Sequence, residues 1–345
     1  MIERVLVVGL GSIGKRHLRI ARETLPSADI RVLRHQPCDS TPEFANGCFG
    51  SIEEACGFAP QVAVIANPAT VHIETALALA GVGSHLLIEK PLSHTASDAQ
   101  ILLQDAYCGD IVLQVGYNLR FFPSLEKFRV LLQGGMIGRV MSVRCEIGQY
   151  LPSWRPDSDY RMGVSARREL GGGVLLELSH ELDYLRWIFG EVAWVNAYLS
   201  RQSTLEIDVE DTAHLTLGFE SDGSGHGLVA AVSLDYIRHD TTRHCIAIGE
   251  RGSLRWNSLT GEVEQWPAGG LAWQPVFRHA HARDDSYRAQ WQHFLDCVML
   301  GKPPLVSGSD GLAVLRIVEA SRASAAIQGG RIAVTKSGIM PWRHR

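Results

Sequence analysis

The stretch Met1–Gly14, which reads M-I-E-R-V-L-V-V-G-L-G-S-I-G, decides the fold. Val5–Val8 is a short apolar run rich in β-branched residues, which is typical of a strand buried in a parallel sheet. Glycines follow at positions 9, 11 and 14, and an apolar pattern with helical spacing begins at Ile13. Strand, glycine triplet and helix in this order predict the turn on which a dinucleotide binds.

Each glycine of the triplet has its own physical role in that prediction. Gly9 permits the tight turn, Gly11 lets the backbone approach a pyrophosphate, and Gly14 lets the helix pack closely on the strand. The helix N-terminus then presents free N–H groups and a positive dipole end to the phosphates. The same spacing also fits a tight turn that binds nothing, so the choice depends on the rest of the chain.

The composition indicates a soluble globular protein with two domains. The chain has 345 residues, of which 46% are hydrophobic and 20% charged. The net charge is −4 and Lys and Arg form no long run, which argues against nucleic acid or an anionic membrane as the main partner. No apolar run is long enough to span a bilayer, and we expect an N-terminal strand rather than a signal peptide.

The seven cysteines are scattered and form no C-x-x-C pair. They stand at positions 38, 48, 56, 108, 145, 245 and 297. This pattern favours small, reduced packing residues in a cytoplasmic protein over a disulfide framework. We predict no metal site.

Strand and helix patterns alternate through Gly116. Apolar runs predict strands at Ile30–Leu33, Val62–Ala66, His85–Ile88 and 111–116, with helices at 71–80 and 95–108 between them. This alternation is typical of a doubly wound α/β domain with a parallel sheet. We therefore predict a dinucleotide-binding Rossmann domain over residues 1–120.

The end of the second strand bears on the choice of cofactor. In a dinucleotide fold, an acidic residue there binds the 2′-hydroxyl of NAD, whereas an arginine accommodates the 2′-phosphate of NADP. Asp29 stands at the start of this strand, and its end reads Leu33-Arg34-His35-Gln36 without a carboxylate. Arg34, together with Arg16 or His35, therefore favours NADP over NAD, although Arg34 in a solvated loop would carry no such meaning.

Two later strands end in candidate binding segments. Asn67-Pro68 follows the strand that ends at Ala66, where small residues would let a cofactor cross the strand end. Glu89-Lys90-Pro91 follows the next strand, at the edge of a parallel sheet where ligands bind. A lysine held near a nicotinamide can hydrogen-bond a substrate hydroxyl and ease its deprotonation, but the spacing alone fits a structural lysine equally well.

These motifs together resemble the glucose–fructose oxidoreductase, inositol dehydrogenase and MocA-like family. The resemblance rests on G-L-G-S-I-G, on E-K-P at this separation, and on the segment Gly116-Tyr117-Asn118-Leu119-Arg120-Phe121. It implies two domains, a nicotinamide cofactor, a catalytic Lys90 and a cis peptide bond before Pro91. It also implies a sugar-like or polyol-like substrate. The predicted cofactor-binding residues are Gly9, Gly11, Ser12, Ile13, Gly14, Arg34, Asn67, Pro68, His72, Glu89 and Lys90.

The second half begins with a predicted helix at Pro123–Gln133 and a strand at Val140–Ile147. The segment from Tyr150 to Arg161 is aromatic, basic and rich in proline, without a period, and such segments are often binding loops. Its side chains can bind hydroxyls or an anionic group of a substrate. Alternatively, they can anchor a surface loop without any ligand. The predicted substrate residues are Asn118, Arg120, Arg155, Tyr160, Arg161 and Asp183.

A predicted helix at Val174–Phe189 follows Gly171-Gly172-Gly173 and ends at Gly190. On a helical wheel, leucines form one stripe, and His180, Asp183 and Tyr184 share the opposite side, which would ordinarily be the solvated face. The glycine entry and His180-x-x-Asp183 resemble the catalytic helix of the family, which implies that His180 is the acid/base.

The spacing beside His180 departs from the family. The usual aspartate stands four residues before the histidine, whereas Glu177 stands three before His180. Both spacings stay on one helix face. Glu177 is the predicted partner of His180, and Asp183 is the alternative.

The region from Val192 to about Trp266 is rich in strands, with candidates at 192–199, 211–219, 227–236, 243–249 and 253–256. It predicts an α+β domain over 121–340 with a large, mainly antiparallel sheet, followed by helices at Asp285–Leu300 and Leu312–Ile327. Because the family packs such sheets between subunits, the resemblance implies a homodimer or homotetramer.

The leading prediction is an NAD(P)-dependent oxidoreductase that moves hydride between nicotinamide and a carbinol carbon of a sugar, sugar acid or nucleotide-linked sugar. Lys90 would polarise the oxygen and His180 would move its proton. One alternative is a glycoside hydrolase that oxidises its sugar transiently with bound NAD. Another is a regulator that binds NADP(H) without catalysis.

Overall fold

The computed structural model describes residues 2–34, 40–108, 110–221 and 227–335, apart from the side chains at 105, 107 and 108. The described chain forms two compact units. The first comprises the residues up to Asn118 together with Ser286–Leu315. The second comprises Leu119–Asp285 and continues from Arg316. The chain thus returns to its first unit after completing most of the second, a detail that a division into 1–120 and 121–340 does not contain.

The first unit is built on a parallel sheet of six strands in the order β3-β2-β1-β4-β5-β6. This order reverses direction beside β1, as a doubly wound dinucleotide-binding fold requires. The strands are β1 (Arg4–Val8), β2 (Asp29–Leu33), β3 (Gly47–Phe49), β4 (Val62–Ile65), β5 (His85–Ile88) and β6 (Leu113–Val115).

The helices of the first unit cover this sheet. They are α1 (Ser12–Thr24), α2 (Ile52–Gly57), α3 (His72–Gly81) and α4 (Ala96–Cys108), with the later helix Asp285–Leu300. Leu18 and Ile20 of α1 are buried with Val5 and Val7 of β1 in one apolar core. Trp291 and its neighbours in the later helix belong to the same core, which explains why that segment belongs to this unit.

The predicted parallel α/β domain is confirmed, and the bounds at His85–Ile88 agree with the structure. The strand predicted at 111–116 is shorter, Leu113–Val115. Two short elements, β3 and α2, carry too few residues to show a period and were not predicted.

The second unit is built on a mixed sheet of nine strands in the order β14-β13-β12-β11-β7-β10-β9-β8-β15. Among the described pairings, β7 and β10 run parallel and the other neighbours run antiparallel. The strands are β7 (Val140–Gly148), β8 (Val192–Ser200), β9 (Thr212–Phe219), β10 (Val229–Asp235), β11 (Thr242–Gly249), β12 (Gly252–Asn257), β13 (Glu262–Pro267), β14 (Gln274–Arg278) and β15 (Ile332–Ala333). The predicted antiparallel α+β architecture is confirmed, and β14 extends the sheet beyond the predicted region.

Helix α5 (Pro123–Gln133) has the predicted bounds. The predicted continuous helix Val174–Phe189 is wrong, because the chain forms α6 (Val174–Glu177) and α7 (His180–Phe189). At the break, ψ is 26° at Leu178 and −6° at Ser179. Asp183 and Tyr184 are buried rather than on a solvated face, because α7 is buried on all sides from Glu181 to Arg186. The last long helix is Gly308–Ala326.

Cys48 is disulfide-bonded, so the prediction that all cysteines are reduced is wrong at this position. Cys56, Cys145, Cys245 and Cys297 are free thiols, as predicted. Cys38 and the side chain of Cys108 lie outside the part of the chain that the structure describes.

None of the helices in the described residues is long and apolar enough to cross a membrane. The described residues also hold no group of three or more His, Cys, Asp or Glu side chains that could bind a metal ion.

Candidate active site

Five strands end in register, and the predicted cofactor residues follow four of them, β1, β2, β4 and β5. The last residues of β2, β1, β4, β5 and β6 are aligned across the sheet, namely Leu33, Val8, Ile65, Ile88 and Val115. Arg34, Gly9, Ala66, Glu89 and Gly116 therefore come next along the same edge. Since ligands of open parallel sheets bind beyond the carboxyl ends of the strands, this edge is the place for a cofactor.

The glycine turn between β1 and α1 is packed at two positions and open at the third. Gly9 has φ of +87°, and a Cβ there would lie 2.9 Å from the carbonyl oxygen of Ala66. A Cβ on Gly14 would lie 2.1 Å from the carbonyl oxygen of Gly9. A Cβ on Gly11 would meet no atom within 4 Å. The outer two glycines thus shape the turn, and the middle one leaves its surface clear.

The start of α1 fits an anionic group. Its N-cap is Gly11, which has no side chain to occupy the first N–H groups, and no acidic residue stands in the first turn. Gly11 and Ser12 are exposed, and Ile13 is half-buried. Free N–H groups and the positive end of the helix dipole together favour a phosphate at this position.

Asn67 follows β4 and presents an acceptor that has no partner among the described residues. Its side-chain amide donates to Thr75 Oγ1 at 3.0 Å, while its buried Oδ1 accepts no hydrogen bond there. A buried, unsatisfied acceptor is costly unless a further group supplies a donor. A bound cofactor fits this requirement, and the neighbouring Pro68 is half-buried.

His72 is the first residue of α3 and is 1% exposed. Its Nδ1 lies 3.0 Å from the carbonyl oxygen of Pro91, and its Nε2 lies 2.8 Å from that of Asn67. Burial lowers the pKa of His72, despite the opposing effect of these two carbonyl groups. Both nitrogens face protein acceptors, so the structure places this predicted cofactor residue between two loops of the first unit.

Glu89 is buried beside a buried histidine. His17 Nε2 donates to Glu89 Oε1 at 2.7 Å, and the backbone N–H of Lys90 donates to Glu89 Oε2 at 3.2 Å. A Cβ on Gly116 would lie 2.9 Å from Glu89 Oε2, so that glycine makes room for the carboxylate. The sequence prediction did not include His17, because its partner lies 72 residues away.

Lys90 is half-buried and precedes a cis peptide bond to Pro91, as the family resemblance implied. Arg34 is half-buried at the end of β2, and its backbone N–H donates to the carbonyl oxygen of Phe49. Arg16, also considered for a 2′-phosphate, has its guanidinium over the ring of Tyr287, 4.6 Å from the ring centroid. His35, the third residue considered, lies outside the described residues.

In the second unit, the glycine entry fixes the start of α6. Val174 N donates to the carbonyl oxygen of Glu210, and Leu175 N donates to its carboxylate at 3.3 Å. Gly173 has φ of +108°, and a Cβ there would lie 2.5 Å from Glu210 Oε1. A side chain at this position would displace the carboxylate that caps the helix.

Glu177 ends α6 and accepts a hydrogen bond from Ser165 Oγ at 2.7 Å. His180 begins α7 after the two-residue break, and both side chains are half-buried. Two polar side chains thus stand at the ends of adjoining helices.

Asp183 is held by Arg120. The Arg120 Nε donates to Asp183 Oδ2 at 2.9 Å, and Nη2 donates to Oδ1 at 2.7 Å. Arg120 is 4% exposed and Asp183 is 1% exposed. The structure therefore joins two predicted substrate residues in a buried, bidentate ion pair, in which each satisfies the other.

Tyr236 was not among the sequence predictions. It follows β10, is fully buried, and its hydroxyl has no hydrogen-bond partner among the described residues. Burial raises its pKa well above the usual value, and the negative charges of Glu177 and Glu210 add to this effect. No local motif marks this tyrosine, because its relation to Glu177 arises only from the fold.

The loop that carries the remaining predicted substrate residues is folded into short 3₁₀ turns. Arg161 pairs with Asp159 and Glu206, at 2.9 and 3.2 Å, and the Tyr160 hydroxyl accepts from Glu206 N. An open cavity of about 470 Å³ is lined in part by Asp159, Arg161, Arg167, Glu206 and Asp208. Arg155 is exposed.

Asn118 belongs to the first unit, where its amide donates to Ser286 Oγ at 2.8 Å. This buried hydrogen bond links the end of the N-terminal part of the unit to the start of its later helix. Asn118, which was predicted to contact substrate, thus has a structural hydrogen bond within the first unit.

Two family models match the chain, and together they cover most of it. The model described as the oxidoreductase family, NAD-binding Rossmann fold, matches residues 3–117. The model described as the oxidoreductase family, C-terminal alpha/beta domain, matches residues 129–334. The protein is thus an NAD-binding oxidoreductase of two domains.

More specifically, the chain belongs to the Gfo/Idh/MocA family of oxidoreductases. It is 26% identical over 332 residues to the rhizopine catabolism protein MocA of Rhizobium meliloti, covering 92% of this chain and 93% of that protein. It is 29% identical over 341 residues to inositol 2-dehydrogenase 2 of Saccharopolyspora erythraea, covering 93% and 92%.

Solved structures show the same fold. A levoglucosan dehydrogenase in complex with NADH and L-sorbose superposes with a TM-score of 0.85 at 21% identity, over 96% of this chain and 99% of that one. The WlbA dehydrogenase from Bordetella pertussis, in complex with NADH and UDP-GlcNAcA, gives 0.80 at 20% identity, over 98% and 100%.

Proposed function

We propose that this protein oxidises a carbinol carbon of a sugar, sugar acid or nucleotide-linked sugar, or reduces the corresponding carbonyl, with a nicotinamide cofactor. The observation that carries the proposal is the aligned row of strand ends, which puts the open Gly11, the unsatisfied Asn67 Oδ1 and the segment bearing Lys90 at one edge. The sugar-like substrate class is supported by relatives described as inositol and levoglucosan dehydrogenases.

The proposed roles follow from the chemistry of the side chains. A nicotinamide cofactor, held by the glycine turn Gly9–Gly14 and by Asn67, would supply the acceptor for the hydride that leaves the carbinol carbon. Lys90 donates a hydrogen bond to the carbinol oxygen and stabilises the negative charge that develops there. His180 accepts the proton of the hydroxyl group, so that the carbinol loses a hydride from its carbon and a proton from its oxygen and becomes a carbonyl.

Of the two candidate partners of His180, the contacts favour Glu177. Asp183 uses both carboxylate oxygens on Arg120, and Glu177 stands at the end of α6, next to the break before His180, where it accepts a hydrogen bond from Ser165 Oγ. We therefore assign Glu177 to orient His180 or to contact substrate. Asp183 and Arg120 fix α7 in place, which is a supporting role.

Arg34 is the basis for the proposed preference for NADP(H). It stands directly after β2, and the end of this strand carries no carboxylate to bind a ribose 2′-hydroxyl. NAD(H) is the alternative, and the WlbA and levoglucosan dehydrogenase structures are described as NADH complexes.

The remaining proposals concern the assembly and its location. We propose a cytoplasmic homodimer or homotetramer. The large sheet of the second unit supports an assembly, because apolar side chains such as Met141 and Tyr198 on its strands are 46% and 59% exposed. The molar mass in solution, measured by light scattering after gel filtration, tests this: a monomer would contradict it.

Turnover of a broad panel of polyols, sugars, sugar acids and nucleotide sugars tests the main proposal, with nicotinamide absorbance as the readout. Lys90→Ala and His180→Ala should abolish turnover while NADPH or NADH still binds, as measured by nucleotide fluorescence. Activity near wild type in either variant would show that the assigned roles are wrong. Cleavage of a glycoside without net change in absorbance would indicate the hydrolase, and binding without any turnover would indicate a regulator.

A further inference from the structure

The segment Glu89-Lys90-Pro91 is held on both sides of Lys90 by buried imidazole rings. His17 of α1 contacts the residue before Lys90, and His72 of α3 contacts the residue after it. Both histidines are almost wholly buried, at 0% and 1% exposure. Buried histidines usually have polar partners, and for these two the partners belong to the segment that carries Lys90.

On the first side, the contact runs through a carboxylate. Because Glu89 is acceptor-only when ionised, the His17 Nε2 at 2.7 Å carries the proton, and the other ring nitrogen faces no hydrogen-bond partner among the described residues. Tyr287 packs edge-on against the ring at 5.9 Å. Glu89 is thus the one polar partner that the described residues offer to His17.

The same carboxylate reaches the backbone of Lys90. Its second oxygen accepts the Lys90 N–H at 3.2 Å, and Gly116 leaves the space in which it lies. Glu89 N also continues the sheet by donating to the carbonyl oxygen of Ile65 at 2.9 Å. His17 therefore fixes the carboxylate that fixes the peptide group from which the Lys90 side chain departs.

On the second side, the contact runs through a carbonyl. His72 Nδ1 lies 3.0 Å from the Pro91 oxygen and Nε2 lies 2.8 Å from the Asn67 oxygen. A neutral ring donates to one of these at a time, and a doubly protonated ring donates to both. With the proton on Nδ1, the ring donates to the Pro91 carbonyl and ties the segment after β5 to the start of α3, next to the segment after β4 where the cofactor is proposed to lie.

We propose that His17 and His72 are positioning residues for Lys90, His17 through Glu89 and His72 through the Pro91 carbonyl. This proposal rests on the proposed function, because positioning matters only where Lys90 acts. A lysine ammonium lies at the end of a flexible four-carbon stem, so its reach depends on where the stem begins. Displacement of a reacting group by about 1 Å can cost about 100-fold in rate.

Methionine removes the donors at both positions while it fills similar space. His17→Met and His72→Met should each lower kcat by about 100-fold with saturating cofactor, while KM for the substrate found in the panel changes much less. His17→Gln and His72→Gln keep an N–H donor and should recover part of that loss. The matched controls are His85→Met and His85→Gln, at the opposite end of β5, where His85 Nδ1 accepts from Val112 N.

A second readout does not depend on turnover. Acetic anhydride modifies lysine amines, and mass spectrometry gives the rate at Lys90 relative to the exposed Lys302 in the same protein. In His17→Met and His72→Met, the segment Glu89-Lys90-Pro91 should be less well fixed, so the labelling rate at Lys90 relative to Lys302 should rise several-fold. In the His85 variants this ratio should be unchanged. Gly116→Ala places a methyl group where the Glu89 carboxylate lies, so it should have the same effect as His17→Met.

Coupling between variants separates the two routes. If His17 acts through Glu89, the double variant His17→Met/Glu89→Gln should be no slower than Glu89→Gln alone, whereas His17→Met/His72→Met should multiply the two losses. Unchanged labelling ratios and kcat in folded His17 and His72 variants would overturn the proposal. If the wild type turns over no member of the panel of polyols, sugars, sugar acids and nucleotide sugars, the proposed function fails, and the labelling ratio still decides whether the histidines position Lys90.

Discussion

Arg120 and Asp183, which are 63 residues apart in the chain, form a bidentate ion pair that is almost fully removed from solvent. The pair connects the short segment before α5 with α7, the helix that begins at His180. Both oxygens of Asp183 and two nitrogens of Arg120 are used in it. Whatever contacts substrate, the position of α7 depends on this pair.

Removal of one partner should therefore be costly. Asp183→Asn leaves a buried guanidinium without its counterion, and we expect a loss of about 3–5 kcal/mol in the free energy of unfolding. The matched control is Arg139→Met, which breaks the exposed Arg139–Glu250 pair and should cost about 1 kcal/mol or less. Urea denaturation measures both, and equal losses would show that the buried pair contributes no more than a surface one.

Two substitutions in the glycine turn separate its effect on stability from its effect on cofactor binding. Gly14→Ala places a methyl group against the carbonyl oxygen of Gly9 and should lower the free energy of unfolding by about 2–3 kcal/mol. Gly11→Ala meets open space and should cost less than about 1 kcal/mol. It should nevertheless raise the Kd for the cofactor at least about 10-fold, because the methyl group keeps a phosphate from the backbone amides.

Calorimetry gives the two Kd values, and thermal or urea unfolding gives the stabilities. Binding of NADPH and NADH to Gly11→Ala with wild-type affinity would contradict the assignment of this turn to the pyrophosphate. A stable Gly14→Ala variant would contradict the packing argument alone.

The parts of this structure that follow from local pattern were predictable from sequence. Each of these local signals is visible within a few residues: the apolar run Val5–Val8, the glycine spacing that follows it, and the apolar face of the helix Asp285–Leu300. The break between α6 and α7 was not predictable in this way, because Leu178 and Ser179 both fit the helical pattern that surrounds them.

The contacts that build the site lie beyond local pattern. His17 and Glu89 are 72 residues apart, and which histidine meets which carboxylate depends on the order of the strands between them. The buried Tyr236 and the disulfide at Cys48 likewise have no local signature. Candidate site residues could thus be predicted from their positions at strand ends. The side chains that they contact could be identified only from the three-dimensional structure.

Four histidines make stability depend on pH. Burial lowers the pKa of His72, His85, His244 and His293 in the folded protein. Between the folded value and the ordinary value of 6.5, the unfolded chain then binds more protons than the folded one. The free energy of unfolding should therefore be highest above pH 6.5 and fall as the pH is lowered below it.

Urea denaturation at a series of pH values between about 5 and 8 measures this slope, to which each histidine adds at most about 1.4 kcal/mol per pH unit. His85→Gln should make the slope shallower, because one of the four groups is removed. The control is His279→Gln, at an exposed position. Stability that rises as the pH falls through this range would contradict the direction of the shifts.

Arg34 should decide between the two nicotinamide cofactors. It stands directly after β2, where a guanidinium can bind the 2′-phosphate that NADPH carries and NADH lacks. Arg34→Ala should reduce the ratio of kcat/KM for NADPH to that for NADH by about 10- to 100-fold, which is the value of a hydrogen bond to a charged group. Arg31→Ala is the matched control, because Arg31 lies on the same strand and pairs with Asp29 instead. A wild-type enzyme that prefers NADH, with a ratio that Arg34→Ala leaves unchanged, would show that this arginine has no part in cofactor choice.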